Sequence, residues 1–167
     1  MKSREGRLDH PWSFLGSSLW LRPLSSEDVS RCRAFLRRRD LLRAGDLDAP
    51  LRPRSAARAD ADHGLTLVAV DLMGAPAGMF HVHEHDQDVA VSFALPGREP
   101  QVLREVLRLF MAEFPSRTRA LRIRIAGASE DVDLRALGLM EARRENGAWV
   151  LPLSERSRTE APAPHAR

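Results

Sequence analysis

The longest regular pattern in this chain is a run of hydrophobic positions spaced three and four residues apart between residues 99 and 114. Its apolar members are Val102, Leu103, Val106, Leu107, Phe110, Met111 and Phe114. This spacing predicts an amphipathic helix that packs on a sheet, with Pro115 as the residue that ends it. A second helix is predicted over residues 26–38, after the polar sequence Ser25–Asp28, which favours a helix start.

The other hydrophobic segments alternate with polar residues or are rich in β-branched residues, as strands are. They lie at residues 19–22, 65–71, 77–84, 89–95, 120–126, 139–144 and 148–153. The pair Asn146-Gly147 favours a tight hairpin between the last two. Between residues 41 and 64 the pattern dissolves, and we expect a short helix and a mobile loop there. A further short helix is expected at residues 129–137, closed by Gly138.

The order of these elements predicts a mixed α/β fold. Three strands between residues 65 and 95 follow one another with short turns, so they should pair antiparallel. The long helix then connects two strands as a crossover, which must be parallel and right-handed. A chain of 167 residues has room for one domain. We expect a flexible segment at residues 1–17, one domain at residues 18–153 and a disordered tail at residues 154–167.

Composition excludes some classes of function. The formal net charge is +3, and the pI of 10.2 reflects an almost all-arginine basic set without tyrosine. These arginines are spread along the whole chain and aromatic residues are 5%, so we expect no nucleic-acid partner. No apolar run approaches the roughly 20 residues that span a membrane. A lone cysteine, Cys32, allows no internal disulfide, and we expect a cytoplasmic protein.

Three stretches resemble the GNAT acyltransferases, particularly the acetyltransferase domains associated with protein lysine acetylation. Residues 19–28 are similar to the opening strand and helix cap of that family, and residues 67–78 to its central hairpin. Residues 134–139, Leu-Arg-Ala-Leu-Gly-Leu, resemble its late helix. The resemblance covers about residues 18–153. It implies a GNAT-like acyl-CoA N-acyltransferase fold, acetyl-CoA or another acyl-CoA as cofactor, and a small-molecule or protein amine as acceptor.

In GNAT enzymes a glycine-rich loop after the fourth strand binds the pyrophosphate of coenzyme A through its backbone amides, at a helix N-terminus. The matching stretch here is Arg98–Leu103, where both glycine positions carry side chains, Pro100 has no amide and Glu99 is acidic. The resemblance assigns the thioester carbonyl to amides near Phe93–Leu95. It implies a cofactor-binding set of Phe93, Ala94, Leu95, Gly97, Arg98, Gln101, Val102 and Leu103.

The reaction also needs a base for the amine proton. The resemblance places the cleft between the central strands, which makes Glu84 and His83 the candidate bases. The tyrosine that serves as acid in many members is replaced by Leu134, and the chain contains no tyrosine. His81, His83 and His85 share one strand face, which is compatible with an exposed polar face, a base or a metal site.

The sequence therefore leaves two main functions open. One is an acyl-CoA-dependent N-acyltransferase. The other is a GNAT-derived binding or regulatory domain that engages a protein partner without catalysis. A metal-binding protein centred on the three histidines is a third, weaker alternative. The acceptor, the acyl group and the oligomeric state, including a homodimer, stay open.

Overall fold

In the computed structural model, residues 13–45, 47, 51, 64–125 and 132–153 are described, and their strands form one sheet. The strands are β1 (Phe14–Leu15), β2 (Leu19–Pro23), β3 (Leu41–Ala44), β4 (Leu65–Asp71), β5 (Pro76–His85), β6 (Asp88–Pro96), β7 (Arg122–Ile125), β8 (Arg143–Glu145) and β9 (Ala148–Pro152). Their order in the sheet is β1-β2-β4-β5-β6-β7-β9-β8, with β3 paired to β6 outside this path. The β6–β7 pair is parallel and the others are antiparallel. The predicted mixed α/β fold is confirmed.

One helix packs on each face of the sheet. Helix α1 (Val29–Leu36) follows a short 3₁₀ turn at Ser26–Asp28, and helix α2 is Gln101–Arg117. The core under α1 contains Cys32, Phe35, Leu36, Val68, Val70, Met79 and Ala94. The larger core under α2 includes Phe80, Phe93, Leu103, Val106, Leu107, Phe110 and Phe114. Within the described residues, no helix combines the length and apolar character that crossing a membrane requires.

The 3₁₀ turn that leads into α1 is capped as the sequence predicts. The carboxylate of Asp28 accepts hydrogen bonds from the amide and hydroxyl of Ser25 at 3.0 and 2.7 Å. It also accepts two bonds from the guanidinium of Arg22, at 2.5 and 2.8 Å. The Arg22 hydrogen bond is the main reason that the pKa of Asp28 lies well below its ordinary value of 3.8, against the opposing effect of burial.

Helix α2 does not end at Pro115, contrary to the sequence prediction. It continues to Arg117, and the amide of Thr118 donates to the carbonyl of Phe114 at 2.8 Å. Proline removes one helical hydrogen bond. In the last turn that single loss is compatible with the helix because Pro115 and Phe114 are both buried against the sheet.

Two further predictions differ from the structure. Residues 41–44, expected in a short helix, form β3, because they pair with β6. The described part of the expected late helix, residues 132–137, consists of turns; Leu137 donates to Asp133 and Gly138 to Arg135. Gly138 has a positive φ of 83°, as a closing glycine should. Residues 129–131 lie outside the described residues.

Phe14 and Leu15 fall in the segment expected to be flexible, but they form β1, where Phe14 is buried. The predicted hairpin of β8 and β9 is present, with Asn146 and Gly147 both at positive φ. The expectations for residues 1–12 and for the tail at residues 154–167 concern residues outside the described ranges.

Candidate functional site

The centre of the sheet contains a fork between β6 and β7. These two parallel strands pair only at the start of β6, where Asp88, Val89 and Ala90 lie opposite Arg122, Ile123 and Arg124. Beyond Ala90 the strand β6 continues for six residues, to Pro96, without β7. This is the edge of β6 to which the resemblance assigned the thioester of an acyl-CoA.

Strand β3 fills this part of the fork. Because β5 pairs with β6 from Asp88 to Ala94, one edge of β6 is occupied by β5 along that length. Strand β3 pairs antiparallel with residues 93–96, so it must lie on the opposite edge of β6. This is the same edge on which β7 pairs with residues 88–90 at the start of the strand. The chain's own backbone lies where the resemblance placed a cofactor.

The register shows which backbone groups of β6 are used. The amide of Gly97 donates to the carbonyl of Asp40 at 2.7 Å, so the two residues form a hydrogen-bonded pair of the antiparallel ladder. Since such pairs alternate with non-hydrogen-bonded ones, Leu95 pairs through hydrogen bonds with Leu42, and Phe93 with Ala44. The amides of Phe93 and Leu95 thus point to β3, and that of Ala94 points to β5.

Gly97 also contributes to the contact with β3 through its missing side chain. A Cβ at this position would lie 3.0 Å from the carbonyl oxygen of Asp40, closer than side-chain carbons normally approach. The missing side chain therefore lets the start of β3 approach the loop. Both the amide and the bare α-carbon of Gly97 serve the contact with β3.

Arg38 holds the same end of β3 in place. Its guanidinium donates two hydrogen bonds to the carboxylate of Asp40, at 3.0 and 2.7 Å. The Arg38 hydrogen bonds are the main reason that the pKa of Asp40 is lowered. Neither residue was singled out by the sequence analysis, and the backbone contact of Asp40 with Gly97 leaves no side-chain signal to find.

The remaining predicted cofactor residues lie around the start of α2. Pro100 occupies the N-cap position and makes no side-chain cap. Arg98 and Gln101 are exposed, Val102 is half-buried and Leu103 is fully buried. The structure thus brings Gly97, Arg98 and Gln101 together at the mouth of the fork, with Leu103 in the core below them.

A pocket of about 500 Å³ lies on the far side of β3. Its walls are Arg39, Asp40, Leu41, Leu42, Gly97 and Pro100 on one side and Val132, Asp133, Ala136 and Leu137 on the other. It is therefore an opening between β3 and the turn at residues 132–138. Its walls combine apolar side chains with the charged residues Arg39, Asp40 and Asp133.

Glu84 and His83 are not close to this opening. Glu84 pairs with Val89 at the other end of β6, and six residues of strand separate Val89 from Leu95, about 20 Å. Successive strand residues also face opposite sides of the sheet. Glu84 lies on the α2 side, where its carboxylate accepts a hydrogen bond from the amide of Arg119 at 3.3 Å. His83 is therefore on the α1 side.

The three histidines of β5, His81, His83 and His85, share the α1 side of the sheet. The Nδ1 atom of His81 lies 3.0 Å from the hydroxyl of Thr66, and the rings of His83 and His85 are 6.5 Å apart. In the described part of the chain, no group of three or more histidine, cysteine, aspartate or glutamate residues is placed to hold a metal ion. The three-histidine alternative is therefore not supported by the geometry.

Leu134 is fully buried. It stands where many members of the family have a tyrosine that acts as general acid. Its side chain belongs to the core under α2. Nearby, the indole of Trp149 donates to the carbonyl of Val132 at 2.8 Å and attaches this turn to β9. The position of the expected acid is thus used for packing.

Solved structures to which this chain is similar include acetyltransferases. A spermidine N-acetyltransferase SpeG variant from Vibrio cholerae matches with a TM-score of 0.61 and 14% identity, over 86% of this chain and 99% of that one. The GNAT family N-acetyltransferase YhbS from Escherichia coli, solved in complex with CoA, matches with a TM-score of 0.53 and 18% identity, over 86% of each chain. No family model matches the sequence, and no curated protein matches it.

Proposed function

We propose, for a chain that has the fold of the GNAT N-acetyltransferases, a role as a binding domain that engages a protein partner and does not transfer acyl groups. A fold alone does not determine a function, which must be argued from the site. We further propose that this domain works in the cytoplasm, since its one cysteine is buried and unpaired.

The observation that carries this proposal is the pairing of β3 with Phe93–Pro96 in the fork. An acyl-CoA at this edge would need the amides of Phe93 and Leu95, and both already donate within the ladder. To bind there, the cofactor would have to displace a strand whose last residue, Ala44, is fully buried. Each hydrogen bond and each buried apolar group of β3 adds to the cost of that displacement.

Three further features agree with the proposal. The amide of Gly97, which would face a phosphate, donates to Asp40. The candidate bases Glu84 and His83 lie at the other end of the sheet and on opposite faces of it. Leu134 is buried where an acid would be needed. Neither the candidate bases nor the expected acid therefore lies beside the fork.

The test is thermal unfolding of the purified protein with acetyl-CoA and with free coenzyme A. A ligand at a hundredfold excess over its Kd stabilises a protein by about 2.7 kcal/mol. For a chain of this size that corresponds to a rise in Tm of about 5–10 °C. We expect no rise at millimolar acetyl-CoA and no thiol release with a panel of amines. A clear rise together with amine-dependent thiol release would refute the proposal.

An acyl-CoA-dependent N-acyltransferase is the second candidate. It is favoured by the pocket between Gly97 and Leu137 at the start of α2, which leaves space at the mouth of the fork. In this case acetyl-CoA or another acyl-CoA would lie beside β3, and a group other than His83 or Glu84 would have to take the amine proton, because a base acts within hydrogen-bond reach. The same thermal and thiol measurements separate the two candidates.

A further inference from the structure

We infer that the protein partner binds as an extended peptide, added as a strand to the outer edge of β3 inside the pocket. This inference rests on the proposed function, because it names the kind of partner and the place where it binds. Strand addition to an exposed sheet edge is a common mode of peptide recognition, in which backbone hydrogen bonds supply affinity and side-chain pockets supply specificity.

The backbone of β3 is prepared for such a partner. Leu41 and Arg43 are the non-hydrogen-bonded residues in the ladder with β6, opposite Pro96 and Ala94. Their amides and carbonyls therefore point away from β6, to the outer edge. Among the described residues, no backbone hydrogen bond to Leu41 or Arg43 is found outside the ladder. An edge strand with free donors and acceptors is a template for another strand.

The walls of the pocket determine which side chains would fit. Leu41, Leu42, Pro100, Val132 and Leu137 supply apolar surface on both sides of the opening. A strand added to β3 would place its side chains alternately on the two faces of the sheet, beside Leu41 on one face and Leu42 on the other. The partner segment should therefore carry aliphatic residues.

The exposed Arg39 on the β3 wall favours an acidic residue at that end of the segment. Asp40 is already paired with Arg38, and Asp133 accepts hydrogen bonds from the amides of Arg135 and Ala136 in its own turn. Arg39 is exposed, and no ion pair is found for it within the described residues. An acidic side chain of the peptide could form an ion pair with Arg39, which has no ion-pair partner among the described residues.

The test begins with selection of random hexapeptides displayed on phage against the full chain. Enriched sequences are synthesised, and their affinity is measured by fluorescence anisotropy. Each peptide is then N-methylated at one position at a time. In an added strand only alternate amides face β3. Methylation should therefore weaken binding about tenfold at positions of one parity and much less at the others.

Protein variants locate the site. Arg39→Glu should reduce the affinity for acidic peptides by about tenfold or more, while Arg119→Glu, a matched change at the other end of the sheet, should leave it unchanged. Hydrogen exchange should show protection of the Leu41 and Arg43 amides when peptide is bound. The enrichment of acidic, aliphatic sequences with alternating sensitivity to methylation is the expected result.

The inference is overturned if no peptide is enriched, or if methylation shows no alternation and Arg39→Glu has no effect. The failure of the proposed function has a different signature. Acetyl-CoA binding with thiol release would refute the binding-domain role itself. A protein that ignores both acetyl-CoA and every peptide contradicts only the strand-addition inference.

Discussion

Proline substitutions in β3 test whether this strand is held in the fork by its backbone. Leu42 forms a hydrogen-bonded pair with Leu95, whereas the amide of Arg43 points away from β6. Leu42→Pro removes a ladder donor, and Arg43→Pro removes a donor from the outer edge. Each variant is compared with alanine at the same position, so that the loss of the side chain cancels.

The magnitude follows from the burial of the acceptor. Leu95 is fully buried, so its carbonyl would be left without a partner, which costs about 1–3 kcal/mol. At position 43 the lost amide has no protein acceptor within the described residues, and proline is tolerated on a strand edge that faces away from the ladder. At each position we take the loss of unfolding free energy on going from alanine to proline. We expect this loss to be larger at position 42 than at position 43, by about 1–3 kcal/mol.

The free energy of unfolding of all four variants is measured by urea denaturation. The guanidinium of Arg43 also donates to the carbonyl of Leu36, and the Arg43→Ala variant accounts for this loss. Equal alanine-to-proline differences at positions 42 and 43 would show that β3 does not pair with β6 in the register described.

Three further predictions concern the scaffold. Phe110→Ala removes a fully buried ring and should lower the free energy of unfolding by about 3–5 kcal/mol in urea denaturation. Because the folded state lowers the pKa of Asp28 from its ordinary value of 3.8, the ionised carboxylate stabilises the protein above about pH 4. This stabilisation is lost as the pH falls further and the carboxylate is protonated, so Asp28→Asn should flatten the fall in Tm between about pH 4 and about pH 2. Gly45 and Gly74 both have positive φ, but only at Gly45 would a Cβ meet another residue, Ser92 Oγ at 2.5 Å. Gly45→Ala should therefore lower Tm clearly more than Gly74→Ala, whose cost is about 1–2 kcal/mol of backbone strain.

The elements with a long regular period could be predicted from the sequence. Helix α2 follows from the spacing of Val106 and Phe110, and the hairpin of β5 and β6 follows from alternation. These patterns are local, because the packing of a helix or strand face repeats along the chain itself. The parallel crossover to β7 then follows from the connection.

Strand β3 could not be predicted in the same way. It has four residues, Leu41–Ala44, and its partner lies about fifty positions further along the chain. Such a short segment has no readable period, and its conformation is decided by tertiary pairing. The local signal near its partner strand is Gly97, which the resemblance included in the cofactor-binding set and whose missing side chain makes room for Asp40.

The separation of Glu84 and His83 was within reach of the sequence. Adjacent residues in a strand face opposite sides of the sheet, so the two side chains could not share one cleft. Their distance from Leu95 also follows from the length of β6, once the turn at residues 86–87 is recognised. The family resemblance pointed to Glu84 and His83 by residue type, whereas the alternation of β5 places their side chains on opposite faces of the sheet.

Hydrogen exchange of the Phe93 and Leu95 amides, followed by NMR with and without millimolar acetyl-CoA, tests the central claim most directly. If β3 fills the fork, both amides exchange slowly in the free protein and the ligand does not change their rates. Fast exchange of these amides in the free protein, with protection appearing only when acetyl-CoA is added, would contradict the account.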